Sequence, residues 1–185
     1  INAGIANACT GEKGFSYCEE TAKAAADALN IKAEHVLVAS TGVIGKQLPM
    51  EKIIAGTKLL AEGLSDELKA GTAAAKAIMT TDTEKKEIAV EFLAGGKRAV
   101  LGGMCKGSGM IRPNMCTMLG FVRTDFNISK ELLDKALKAD VADTYNMVSV
   151  DGDTSTNDTV LLLANGMAGN ETIALEDSED YKTFC

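Results

Sequence analysis

The groups in this sequence able to act as nucleophiles, bases or anion donors are hydroxyls near glycine turns, one imidazole, a few thiols and scattered lysines. The densest run is 102–119, Gly-Gly-Met-Cys-Lys-Gly-Ser-Gly-Met-Ile-Arg-Pro-Asn-Met-Cys-Thr-Met-Leu. A glycine-rich loop and Pro113 lead into the small Cys116, then Thr117, then an apolar stretch. Such a loop lets backbone approach a ligand closely and tolerates unusual dihedrals; it serves equally as a plain strand-to-strand connection. It is not a phosphate loop, because Lys106 precedes Gly107 instead of closing a Gly-x-x-x-x-Gly frame. Gly42-Val43-Ile44-Gly45-Lys46-Gln47 fails too, with short spacing and no Ser or Thr after the lysine. Ser40-Thr41-Gly42 reads as a turn at a strand end. A Ser-His-Asp or Cys-His mechanism would have to use His35, the one histidine, which stands at the entrance to an apolar run and reads as a packed or surface residue.

Bulk properties narrow the classes further. The 185 residues are 46% hydrophobic, enough for one domain or two small ones with a core. A net charge of −7, from 26 acidic and 19 basic side chains, with lysines scattered and not clustered with aromatics, speaks against nucleic acid as a partner. The longest apolar stretches fall far short of the roughly 20 residues that cross a bilayer, so no membrane span is expected. Residues 1–11 lack a basic start and apolar core and read as chain in mid-fold rather than a signal peptide. Five cysteines (Cys9, Cys18, Cys105, Cys116, Cys185) without Cys-x-x-Cys spacing imply neither a zinc site nor a disulfide framework, and point to the cytoplasm.

The elements that must position these groups follow from periodicity. Helices are expected over 21–29, over 50–63 after Pro49, from a cap at Ser65 or Asp66 through 78, and over 129–139 with Ser129 as N-cap. Strands are expected at 35–39, 88–93, 98–101, 118–124, 146–150 and 158–164, with Gly95-Gly96 turning a hairpin. The acidic stretch 171–185 offers no evident closing element. The whole reads as mixed α/β without repeats.

Lys106-Gly107-Ser108-Gly109-Met110-Ile111, Pro113-Asn114-Met115 and Thr117-Met118-Leu119 together resemble the cleavage segment of the ornithine acetyltransferases, also called glutamate N-acetyltransferases. Four further stretches are similar to that family's other signatures, in the same order: 2–11 (Asn-Ala-Gly-Ile-Ala-Asn-Ala-Cys-Thr-Gly), 40–45 (Ser-Thr-Gly-Val-Ile-Gly), 79–83 (Met-Thr-Thr-Asp-Thr) and 149–158 (Ser-Val-Asp-Gly-Asp-Thr-Ser-Thr-Asn-Asp). The resemblance runs from Asn2 to about Gly166. Position 116 is Cys where the family more often has Ala, and the family's later substrate-binding glutamate has no counterpart before Cys185, so a partial chain is expected.

The resemblance implies an α/β fold of mixed sheets with flanking helices, the self-cleaving amidohydrolase-like sandwich. It implies that the precursor cuts its own backbone at Cys116-Thr117, with 1–116 ending the alpha subunit and 117–185 opening the beta subunit within one catalytic core. Freed Thr117 is then the nucleophile, and its own α-amine, of free pKa about 8, can take the hydroxyl proton, so no histidine is required. Thr41 and Gly42 match the family's oxyanion donors, and Thr80 and Lys106 its substrate-holding residues, the lysine facing a carboxylate. The implied cycle is ping-pong, from N-acetylornithine to glutamate, in arginine biosynthesis. It needs no cofactor, although acetyl-CoA serves some members as acetyl donor. Two copies of each half would assemble as a heterotetramer. The alternatives are an amidase or aminopeptidase of the related self-cleaving fold and a non-catalytic metabolite-binding or assembly fragment.

Overall fold

Alanine, glutamate and lysine dominate residues 11–29, and a computed structural model of the chain, which describes residues 1–111 and 118–185, folds the whole of that stretch as one helix. This helix, α1 (Gly11–Leu29), begins ten residues before the expected start at 21. It ends at Asn30, which adopts the left-handed conformation (φ 54°, ψ 47°) and donates its N–H to the Ala26 carbonyl. The described residues form two compact units, Ile1–Asp82 and Thr83–Cys185.

In the first unit, β1 (Asn2–Ile5) pairs in parallel with β2 (Ser40–Val43), in the register Asn2 to Ser40 through Ile5 to Val43. The strand expected at 35–39 is therefore displaced. Ala33–His35 is a short 3₁₀ turn, 36–39 is irregular, and Ser40-Thr41-Gly42 lie within a strand, not in a turn after one. Pro49 starts α2 (Met50–Glu62) as expected, its carbonyl accepting from Lys52 and Ile53 N–H. The next helix, α3 (Leu68–Ala77), starts after Glu67 with no side-chain cap, so neither Ser65 nor Asp66 serves as its cap.

The second unit is a four-stranded mixed sheet in the order β3-β4-β5-β6. The strands β3 (Lys86–Ala94) and β4 (Lys97–Lys106) form a hairpin whose turn residues Gly95 and Gly96 have φ of 59° and 67°, the geometry a two-residue primed turn demands. Antiparallel β5 (Leu119–Thr124) follows. A crossover through α4 (Lys130–Asp143) then returns the chain to β6 (Thr159–Ala164), parallel to β5, as such a pairing requires. Ser129 caps α4 by accepting from Leu132 N–H at 3.3 Å, as its position predicts. Residues 146–150 form no strand; Tyr145–Met147 is a 3₁₀ turn.

A closing element does exist at the end of the chain. The short helix α5 (Glu179–Phe184) is capped by Ser178, and Asp180 Oδ1 accepts the Gly95 N–H at 2.7 Å, tying the helix to the hairpin turn. Its Phe184 ring stacks on Phe126 at 5.6 Å between centroids, and Phe126 meets Phe92 edge-on at 5.3 Å. Around Phe126, which is fully buried, pack Ala94, Ala99, Ile128, Leu132, Ala136 and Tyr181. Burial also pushes the Tyr181 hydroxyl up to about 12. Phe126→Ala empties the centre of this cluster and should cost about 3–5 kcal/mol of stability, read from chemical denaturation.

Candidate active site

Thr41 and Gly42 are placed by backbone pairing across almost forty residues of sequence. Thr41 is 1% exposed. Gly42 has φ of 128°, a region closed to residues with a side chain, and a Cβ there would stand 2.3 Å from the Gly4 carbonyl carbon and 2.4 Å from its oxygen. The 2–11 stretch supplies the frame. Asn7 N–H donates to Ser40 Oγ at 2.8 Å, its side-chain amide donates to Gly14 O, and Thr10 Oγ1 donates to Asn7 Oδ1 at 2.7 Å. Ala6 N–H reaches Val43 O and Gly45 N–H reaches Ala8 O, so both strand ends are fixed. The β2 backbone at Thr41 and Gly42 is thus held in one orientation by β1 and the 2–11 stretch.

Thr80 is exposed just beyond the end of α3, where its N–H meets Asp82 Oδ2 at 3.3 Å. It belongs with Thr41 and Gly42 to the unit Ile1–Asp82, and Lys106 belongs to Thr83–Cys185. Lys106 is the last residue of β4, opposite Leu119 of β5, and is 2% exposed. An ammonium buried so deeply requires an anionic or hydrogen-bonding environment, and its charge acts on Asp158. Cys116 and Thr117 lie outside the described residues. His35 is exposed, 3.7 Å from Glu34.

Two aspartates with no role readable from the sequence sit on either side of 112–117. Asp151 Oδ2 accepts Met110 N–H at 2.7 Å, and its Oδ1 accepts Ile111 N–H at 3.0 Å and Asp153 N–H at 3.3 Å. These donors, Met110 foremost, hold the Asp151 carboxyl below the usual carboxylate range. Asp158 Oδ1 accepts Met118 N–H at 2.9 Å. Asp-Gly-Asp and Asn-Asp are ordinary turn sequences, and nothing local reveals that their carboxylates reach forty residues back.

Burial raises the Asp158 carboxyl above its ordinary value, against the pull of Met118 N–H, the Ser155 side chain and the Lys106 charge. The fold therefore binds this proton more tightly than the unfolded chain does. The resulting stabilisation is complete below the ordinary carboxylate pKa and is lost as pH rises through the elevated one. Asp158→Asn should accordingly match the parent in Tm at the acid end and gain on it towards neutrality, measured by thermal melts across pH 4 to 7.

An apolar cavity of about 800 Å³ lies within the second unit, lined by Leu101, Met104, Val122, Leu137 and Leu162 among others. None of the described candidate residues lines it. Among the described residues no group of three or more His, Cys, Asp or Glu could hold a metal, and no helix is long and apolar enough to cross a membrane.

A model of the ArgJ family matches residues 1–185. The chain is 56% identical over 184 residues to the arginine biosynthesis bifunctional protein ArgJ of Caldanaerobacter subterraneus subsp. tengcongensis, covering 100% of this chain and 45% of that protein. It is 50% identical over 184 residues to its counterpart in Thermotoga neapolitana, covering 100% and 46%. The chain thus spans less than half the length of these relatives. Among solved structures, the ArgJ protein of Bacillus halodurans aligns with a TM-score of 0.57 at 40% identity, over 61% of this chain and 58% of that one. Ornithine acetyltransferase of Mycobacterium tuberculosis, solved in complex with ornithine, aligns with a TM-score of 0.51 at 39% identity, over 61% and 60%. The mixed α/β fold is that of these proteins.

Proposed function

The chain belongs to the ArgJ family, and from that premise we propose that it carries the nucleophile and oxyanion donors of a glutamate N-acetyltransferase in arginine biosynthesis. The observation that supports this most directly is the Thr41-Gly42 pair on β2, where Thr41 is buried and the exposed Gly42 is locked in a conformation that favours glycine. In this reading the Cys116-Thr117 bond is hydrolysed by the chain itself, residues up to 116 ending one subunit and those from 117 opening the other. The two halves stay paired through β4 and β5, which are neighbours in one sheet.

Freed Thr117 supplies both hydroxyl and base. Its Oγ attacks the acetyl carbonyl carbon of N-acetylornithine while the hydroxyl proton passes to the α-amine. Thr41 and Gly42 stabilise the negative oxygen that forms, each such donor being worth about 3 kcal/mol of barrier. The C–N bond then breaks, the proton goes to the departing amine, and ornithine leaves. Glutamate's amine attacks the acetyl ester, and Thr117 recovers its proton as N-acetylglutamate departs. Lys106 and Thr80 hold the amino-acid substrate, the ammonium pairing with its carboxylate. The exchange consumes no cofactor; acetyl-CoA is the donor to test for acetylation of glutamate afresh. The enzyme works in the cytoplasm as two copies of each half.

Intact-mass analysis of the natural gene product tests the first step. Two masses meeting at Cys116/Thr117 are expected, and a single mass that survives incubation would overturn the reading. Incubation with N-acetylornithine, with and without glutamate, tests the second. Glutamate-dependent formation of N-acetylglutamate is expected, whereas release of acetate alone would make the chain a hydrolase.

A further inference from the structure

We propose that the connection leading into β6 grips both flanks of the 112–117 segment, Asp151 upstream and Asp158 downstream, and that this two-point hold sets the rate of self-cleavage at Cys116-Thr117. The inference rests on the cleavage reading above and adds two positioning residues to it.

The upstream grip is reciprocal. Asp151 takes the N–H groups of Met110 and Ile111 on its two carboxylate oxygens, while the Ile111 carbonyl accepts Val150 N–H at 2.9 Å and Gly152 N–H at 3.4 Å. Gly152 turns the chain there with φ of 79°. Ile111 is itself 4% exposed, so the anchored end sits in packed structure. The downstream grip has the same form. Asp158 Oδ1 takes Met118 N–H, and Thr159 N–H donates to Met118 O at 3.1 Å, one step before the β5-β6 ladder begins at Leu119 and Thr159. A carboxylate side chain thus extends the ladder by one residue towards the segment. Charged acceptors make stronger hydrogen bonds than neutral ones.

Self-cleavage is an intramolecular attack, and its rate depends on how closely nucleophile and carbonyl are held together. Neither aspartate touches the reacting bond in this account; each acts through the backbone it holds.

The chemistry of the two grips predicts opposite responses to amide substitution. Both oxygens of Asp151 accept backbone N–H groups, so Asp151→Asn sets an NH₂ against a donor. At Asp158 the oxygen that receives Met118 N–H survives in Asp158→Asn.

The test follows cleavage of freshly translated natural gene product by mass, beside a Phe126→Leu variant as a control destabilised far from the segment. Wild type should cleave, Asp151→Ala, Asp151→Asn and Asp158→Ala should each slow cleavage tenfold or more relative to the control, and Asp158→Asn should restore a rate within threefold of wild type. Alanine variants that cleave as fast as the control overturn the hold and leave the cleavage reading standing. An Asp158→Asn rate as low as that of Asp158→Ala overturns it also. A wild type that stays uncut overturns both. Should the alanine variants fail to fold, the contrast between Asp151→Asn and Asp158→Asn decides alone, equal rates counting against the proposal.

Discussion

Thr117→Ala in the natural gene product should leave a single uncut chain and lower acetyl transfer from N-acetylornithine to glutamate by at least about 10⁴-fold, the scale on which removing a covalent nucleophile acts. Two losses compound. Without the hydroxyl no ester forms, and without cleavage no α-amine is freed to act as base. Thr117→Ser keeps a hydroxyl and should retain measurable cleavage and transfer, which separates loss of the nucleophile from loss of the fold. Transfer by the cleaved wild type should rise with pH as the Thr117 amine, with a free value of about 8, gives up its proton. A Thr117→Ala protein that still splits at this bond, by mass, or still makes N-acetylglutamate would end the assignment. So would a transfer rate that does not change across that pH range.

What the sequence made readable divides by the range of the forces involved. Elements set by local chemistry are where periodicity and turn residues put them: the Gly95-Gly96 hairpin with both φ positive, the helix after Pro49, and the Ser129 cap. Misplaced elements depend on distant partners. The apolar run at 35–39 has more strand character than Ser40-Thr41-Gly42-Val43, yet the latter is the strand because β1 pairs with it. Helix α1 extends back to Gly11 despite two weak helix formers, Gly11 and Gly14, in its first turn. Gly14 is there because a Cβ would fall 1.9 Å from Thr10 Oγ1, within the Asn7-Thr10 network. Helix α5 is too short to carry a periodic signal, and the stacking of Phe184 on Phe126 defines it.

The candidate site divides in a similar way. Residue types alone left Thr117 a hydroxyl after a glycine-rich loop, and resemblance to a family gave it a role. Asp151 and Asp158 lie inside one of the stretches that carry that resemblance, but their hydrogen bonds to Met110, Ile111 and Met118 exist only once the crossover returns beside β5.

Gly42→Ala should be the most damaging substitution outside the 112–117 segment. Alanine at φ of 128° is strained by about 1–3 kcal/mol before any contact is considered. Its Cβ would also fall 2.3 Å from Gly4 C and 2.7 Å from Ile5 N. Both are backbone atoms of a paired strand, so no side-chain rotation relieves the overlap, and β1 and β2 must separate. Overpacking of this kind adds about 1–3 kcal/mol. Gly45 provides the comparison, because its φ of 73° is also positive but a Cβ there meets nothing within 4 Å. Gly45→Ala should therefore cost only the backbone strain and keep most of the activity. Gly42→Ala should unfold at clearly lower denaturant and lose transfer by about 10²-fold or more, since displacing one oxyanion donor is worth about 3 kcal/mol of barrier. If the two alanine variants prove equally stable and equally active, the close approach of Gly42 to Gly4 does not hold the oxyanion donors in place.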